Sequence, residues 1–314
     1  MIDAVRTIEL SKKIGKREIL RNINLTISEG KIYGLVGENG AGKTTLMKLL
    51  CGILYPTNGD IFLFNSSDLS KGREKIGALI DEPALYPNMN SLENLTAQGI
   101  LTSTEFNKRY IYELIEIVGL NGLEKKKIKE YSMGMKQRLA IALALLGKPK
   151  LLILDEPMNG LDPIGIKQIR ELLIRINNEY KVSILISSHI IDELAKIVDN
   201  YGVIKDGNII KEIAVSDFKQ AARETVEIQV SNHDVEKMLK LLNNKSITEF
   251  KCKTNGYFLF HNYSEEKLRN VLRILVDNEI NILQMTRNEH EVEDYIISLL
   301  EGNADEKIIK GRTL

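Results

Sequence analysis

Cysteine is scarce in this sequence. Only Cys51 and Cys252 occur in 314 residues, far apart and without His or Cys neighbours at metal-ligand spacing. That excludes a disulfide framework and a zinc site, and it fits the cytosol. An excess of one charge is also lacking, because Lys+Arg and Asp+Glu both number 43. Nothing global then draws the chain to nucleic acid or to an anionic membrane, so no nucleic-acid partner is expected. Long apolar runs are missing too. A membrane span needs about 20 consecutive apolar residues, and Ile141 to Leu146 falls far short. Any membrane contact is expected to come through a partner. The opening stretch carries Asp3 and Arg6 and does not read as a secretory signal.

What is present is the composition of an ordinary globular protein, 43% hydrophobic and 27% charged, at a length that suggests one large and one small domain. Ala4 to Leu10 and Ile19 to Ile27 alternate apolar and polar residues, as half-buried antiparallel strands do. Lys31 to Val36, Leu151 to Leu154 and Val182 to Ile186 are short branched runs, which reads as buried parallel strands. Residues 88–146 have mostly helical spacing, a helical insertion. Val203 to Lys205 and Ile209 to Ile213 form a hairpin about Asp206-Gly207. The expected fold is α/β: a phosphate-loop core with a mixed sheet, an antiparallel β-subdomain and a helical subdomain over 1–218. A small α+β domain of βαββαβ pattern with a trailing helix follows over 224–302, then a frayed tail over 303–314.

Two constellations carry chemistry. Gly37-Glu38-Asn39-Gly40-Ala41-Gly42-Lys43-Thr44 matches the phosphate-loop pattern and lies between a predicted strand and a predicted helix. Glycines let backbone N–H groups turn inward around phosphate oxygens, and the helix N-terminus adds a favourable dipole. Lys43 is expected at the β/γ-phosphates of ATP, and Thr44 on Mg²⁺. A plain glycine turn is the competing reading, and the flanking strand and helix count against it. Leu151-Leu152-Ile153-Leu154-Asp155-Glu156 delivers two carboxylates at the end of an apolar strand, where ligands bind in open α/β sheets. Asp155 is expected to hold Mg²⁺, and Glu156 to orient and deprotonate the attacking water. Alone, two such acids are more often a helix cap or turn; beside a phosphate loop they are not.

These motifs together resemble the ABC ATPase family from Met1 to about Ala214. Tyr131-Ser132-Met133-Gly134-Met135-Lys136-Gln137-Arg138 resembles its signature segment, with Met133 and Met135 in place of the usual Gly and Gln. The resemblance implies that Ser132 to Met135 touch the γ-phosphate held by an opposite subunit, so that two copies of the chain sandwich two ATPs. It implies that Asn159-Gly160-Leu161-Asp162 is the loop coupling the two sites. It implies that His189, alone of four histidines in a family motif, touches the γ-phosphate. ATP contacts would run from Gly37 through Thr45, and the cofactors are ATP and Mg²⁺. A separate membrane permease is the implied partner, with the chain peripheral on the cytoplasmic face of the membrane.

Departures narrow the reading. The family's usual Gln after the strand Ile76 to Ile80 is here Asp81. The bacitracin-resistance and lantibiotic-immunity branch places a carboxylate there and shares the S-x-G-M-K-Q-R signature, so Asp81 is a further candidate for Mg²⁺. The aromatic residue on which family members stack adenine is here Ile14. Loss of a ring costs roughly 1–3 kcal/mol in base-stacking systems, so modest adenine selectivity is expected. Export of a peptide antibiotic or similar amphiphile follows from the branch. Two rivals stand beside it: a soluble ABC ATPase acting on ribosomes or nucleic acid, and a slow nucleotide sensor regulating a membrane partner. Phe258 and Phe260 on one strand face read as core or, less often, as a partner surface.

Overall fold

The computed structural model describes residues 2–102, 107–123, 125–216, 225–245, 247, 250–252, 256–260, 265–288 and 292–301. The expected junction and frayed tail lie outside the described residues. The chain divides into two units, Met1–Val215 and Ser216–Leu314.

The first unit opens with a long hairpin, β1 (Asp3–Ile14) and β2 (Arg17–Ser28), which β4 (Asn58–Leu63) extends to a three-stranded antiparallel sheet in the order β2-β1-β4. Along β2 the buried Leu20, Ile23, Leu25 and Ile27 alternate with exposed residues over its second half. Such alternation commits one face to the core and the other to water.

The main sheet has the order β5-β6-β7-β3-β8-β9. Its strands are β3 (Ile32–Val36), β5 (Ile76–Leu79), β6 (Leu151–Leu154), β7 (Ser183–Ser188), β8 (Asn200–Lys205) and β9 (Asn208–Ala214). All pairs are parallel except β8 with β9, which form the hairpin. Every residue of β3, β6 and β7 is buried, and that is why β3, β6 and the Ile184–Ile186 stretch of β7 run without polar alternation. Helices α1 (Lys43–Leu50), α2 (Leu69–Arg73), α6 (Pro163–Tyr180) and α7 (Ile191–Ala195) connect the strands. Because β6, β7 and β3 are neighbours, the loops leaving their carboxyl ends converge, and every catalytic candidate but Asp81 comes from those loops.

The helical block holds α3 (Ser91–Leu101), α4 (Lys108–Ile117) and α5 (Met133–Leu145), with a 3₁₀ turn at Ile128–Glu130. Asn90 and Glu93 start α3 with reciprocal side-chain-to-backbone bonds of 2.9 and 2.8 Å, a capping box. Arg138 on α5 donates to the carbonyls of Val118 and Gly119 at 3.1 and 2.8 Å, which ties α5 to the C-terminus of α4. The start of α5 is thereby set by the body of the block.

The second unit runs β10 (Thr225–Val230), α8 (Val235–Asn244), β11 (Phe250–Cys252), β12 (Tyr257–Phe260), α9 (Glu265–Asp277), β13 (Ile282–Asn288) and α10 (Val292–Glu301). Its sheet has the antiparallel order β11-β12-β10-β13, a pair of split βαβ units. Phe258 and Phe260 are fully buried with Val226, Ile228, Met238 and Leu275, so they are core and not a surface. Asp234 accepts from Asn281 N at 2.9 Å and Ser231 Oγ at 3.1 Å, bonds that hold its carboxyl below the usual range.

Candidate functional site

The phosphate loop leaves β3 and enters α1. A Cβ on Gly37 would stand 2.2 Å from the Ile204 carbonyl oxygen, so only glycine allows the loop to start against β8. Gly42, with φ +111°, caps α1 without any side-chain hydrogen bond, and no acidic residue occupies the first turn. The amides at this helix end are therefore left to face a ligand, and the site favours an anion. Lys43 is 6% exposed. Its ammonium donates to the carbonyls of Gly37 at 2.7 Å and Glu38 at 3.3 Å, which folds the loop back over its own lysine.

The carboxylates arrive from β6. Thr44 Oγ1 and Ser187 Oγ both donate to Asp155, each at 2.6 Å, so the two Asp155 oxygens are pinned between α1 and β7. Glu156 follows with φ +47°, a left-handed backbone, and its N–H donates to Ser187 Oγ at 2.8 Å. That unusual turn aims the side chain away from the direction an extended continuation of β6 would give. Glu156 Oε2 receives the His189 N–H at 3.3 Å and lies 2.8 Å from His189 Nδ1. Its other oxygen, Oε1, is buried without a hydrogen bond, 3.6 Å from Lys43 Nζ. A buried carboxylate oxygen without a donor is costly unless something else fills the place.

Beside them opens a cleft of about 330 Å³ lined by Glu38, Asn39, Gly40, Gly42, Lys43, Thr44, Thr45 and Glu156 together with Arg17 and Ile19 of β2. The volume lies in the range of small-ligand sites. The Thr44 hydroxyl and the Asp155 carboxylate are hard oxygen donors of the kind Mg²⁺ takes. Among the described residues no group of three or more His, Cys, Asp or Glu could hold a metal, so a cation here needs oxygens from a ligand to complete its shell.

The other candidates lie outside the lining of this cavity. Asp81, at φ +62°, gives its carboxylate to Lys48 of α1 at 2.7 Å. Ile14 is 53% exposed at the hairpin end and does not line the cavity. Ser132 caps α5, accepting from Met135 N at 3.3 Å, and Met133 beside it is 55% exposed. Asn159 N donates to the Glu156 carbonyl at 3.1 Å, which joins the loop Asn159–Asp162 to the catalytic strand. Asp162 caps α6, accepting from Gly165 N at 2.8 Å, with Pro163 at the first helical position. The Met133 methyl packs over Gly160, so the signature segment and this loop touch within one chain.

Sequence reading missed Ser187, Arg17, Ile19 and Lys48. Ser187 and Ser188, two buried polar residues between the apolar Ile184–Ile186 and His189, were the signal for the first. No local pattern marks the other three.

A family model described as ABC transporter matches residues 20–159. The bacitracin transport ATP-binding protein BcrA of Bacillus licheniformis is 36% identical over 306 residues, covering 96% of this chain and 99% of that protein. The chain belongs to the ABC transporter ATP-binding family. The lantibiotic transport ATP-binding protein SrtF of Streptococcus pyogenes is 44% identical over 203 residues, 65% of this chain and 87% of that protein. Among solved structures, the ATP-binding cassette MJ0796, a dimer in a post-hydrolysis state bound to ADP and Pi, superposes with TM-score 0.60 at 27% identity. It covers 67% of this chain and 98% of that one. As a member of this family the chain is an ABC-type ATP-binding subunit and an ATPase. Among the described residues, no helix is long and apolar enough to cross a membrane.

Proposed function

We propose that two copies of this chain close on two molecules of ATP, hydrolyse them, and drive a separate membrane permease that exports a peptide antibiotic or similar amphiphile. The observation that carries the catalytic part is Glu156, held by His189 and left with one bare oxygen beside Lys43 and the phosphate loop. Residues 1–218 carry the ATPase, and 224–302 form an accessory domain. The similarity to BcrA over nearly the whole of both chains supports the cargo class, and the ADP-bound MJ0796 dimer supports the two-copy arrangement.

The roles proposed for its residues are these. The amides of Gly37 through Thr45 cradle the phosphates, and Lys43 neutralises charge at the β/γ oxygens. Thr44 and Asp155 would hold Mg²⁺, which when bound offsets charge on the phosphate oxygens. Glu156 accepts a proton from water as the water oxygen bonds to the γ-phosphorus and the bond to the bridging oxygen breaks, giving ADP and inorganic phosphate. His189 keeps that carboxylate in line and reaches the γ-phosphate with the ring edge not used on Glu156. Ser132, Met133, Gly134 and Met135 meet the nucleotide of the opposite copy, and Asn159–Asp162 links the two sites. Asp81, paired with Lys48, is a further candidate to hold the metal.

The test is turnover and binding of the full chain carrying Glu156→Gln. Loss of the base with the cradle intact keeps ATP bound and slows hydrolysis by about two orders of magnitude or more. Hydrolysis within tenfold of the parent would remove Glu156 from the role.

A further inference from the structure

The position at which a ring is expected for the base is filled by Ile14, and Ile14 does not line the cavity. What does line it, beyond the phosphate loop with its helix start and Glu156, is Arg17 and Ile19. The hairpin register explains this. Ile14 and Arg17 are direct cross-strand partners across the two-residue turn Gly15-Lys16, so their side chains project from the same face. A long guanidinium reaches past a short aliphatic chain on that face, and Arg17 arrives where Ile14 stops.

Arg17 is also free to act. The neighbouring acid, Glu18, is shared by Lys13 at 3.6 Å and Arg21 at 3.5 Å. Among the described residues, Arg17 has no ion-pair partner, and its side chain is exposed. A second cavity of about 380 Å³ shares Arg17, Ile19 and Gly40 with the first, so open space continues past the hairpin. Lys43 and Glu156 mark the γ-phosphate end. The sugar and base of a nucleotide anchored there must extend toward the remaining lining, which is the hairpin.

We propose that Arg17 is the nucleobase platform of this protein, its planar guanidinium stacking on the purine ring and replacing the absent aromatic side chain. A guanidinium is flat, delocalised and weakly hydrated, so it stacks on aromatic faces where an ammonium does not. Stacking reads the face of a base and not its edge, so adenine and guanine are held alike. The assignment rests on the nucleotide reading of the cavity and adds the residue that holds the nucleoside half.

The experiment measures dissociation constants of ATP, GTP and inorganic tripolyphosphate by calorimetry. It uses the full chain carrying Glu156→Gln, with and without Arg17→Ala, Arg17→Lys or Arg17→Tyr. Expected for Arg17→Ala is a loss of at least about fivefold for both nucleotides and under about twofold for tripolyphosphate, which has no base to stack. Arg17→Lys keeps the charge and stays weakened; Arg17→Tyr restores the plane and the affinity. Equal loss for tripolyphosphate would make Arg17 a phosphate contact, and full rescue by Lys would make it a point charge; either overturns the platform. So would ATP affinity unchanged in Arg17→Ala. Failure of the parent to bind ATP and tripolyphosphate at all would instead overturn the nucleotide reading of the cavity.

Discussion

The phosphate-loop face and the signature face belong to the same unit and are built on opposite plans. At the first, Lys43, Thr44, Asp155, Glu156, Ser187 and His189 are joined by hydrogen bonds or ion contacts within one chain. At the second, Ser132 spends its hydroxyl on capping α5, Met133 is 55% exposed, and Gly134 has no atom nearer than 3.9 Å to an added Cβ. One face is joined through by polar contacts of its own chain. The other is a held shape which, in the proposed dimer, meets the nucleotide of a second copy. Rigid, satisfied polar groups suit transition-state stabilisation, which gains from dipoles already in place. An open glycine-bearing helix start suits close approach by another molecule.

Mutations can sharpen that contrast. The largest effect belongs to the assembled face, where Glu156→Gln slows hydrolysis by about a hundredfold or more with ATP binding retained, read by phosphate release beside calorimetry. Next comes the glycine pair. Gly37→Ala forces a methyl into the Ile204 carbonyl and destabilises the fold by about 1–3 kcal/mol in urea denaturation. Gly134→Ala has room within the chain and sits in a helix, so it leaves the isolated protein as stable or stabilises it by about 0.5–1 kcal/mol. Its damage is expected only in the ATP-driven dimer. Were Gly134→Ala to unfold the monomer, the two faces would not differ as described.

A smaller effect concerns the helix after His189. Glu193 on α7 pairs with Arg170 of α6 and with Lys196 at 2.6 Å. Burial alone would raise its carboxyl, but the Lys196 bond and the Arg170 and Lys196 charges outweigh it and hold the carboxyl below the usual range. A depressed folded-state value contributes stability above the unfolded carboxylate value, lost as pH falls through the folded one. Glu193→Gln is expected to cost about 1–3 kcal/mol near neutral pH. The difference from the parent should vanish in acid, as urea titrations across pH would read. The smallest effect is between nucleotides: GTP binds within about tenfold of ATP, since stacking reads a face common to both bases.

Much of this was legible in the sequence, and each part that was not has its own physical reason. The phosphate loop, Asp155-Glu156 and His189 were readable because each follows a short, wholly buried strand whose composition announces it. β4 went unread because its first three residues, Asn58-Gly59-Asp60, are exposed and polar, and only Ile61 and Leu63 are buried. Arg17 and Lys48 were invisible because their importance comes from pairing. Arg17 matters through its register opposite Ile14, and Lys48 through the left-handed turn at Asp81. Phe258 and Phe260 were ambiguous as an alternating pair, and burial under α8 and α9 residues decided them as core.

The claim on which the account turns is that the signature face of one copy completes the nucleotide site of another. Light scattering on the Glu156→Gln chain, with and without ATP and with Gly134→Ala alongside, tests it most directly. Expected are a monomer without nucleotide, a dimer holding two ATPs with it, and a nucleotide-bound monomer for Gly134→Ala. A Glu156→Gln chain that binds ATP and stays monomeric across micromolar concentrations would contradict it.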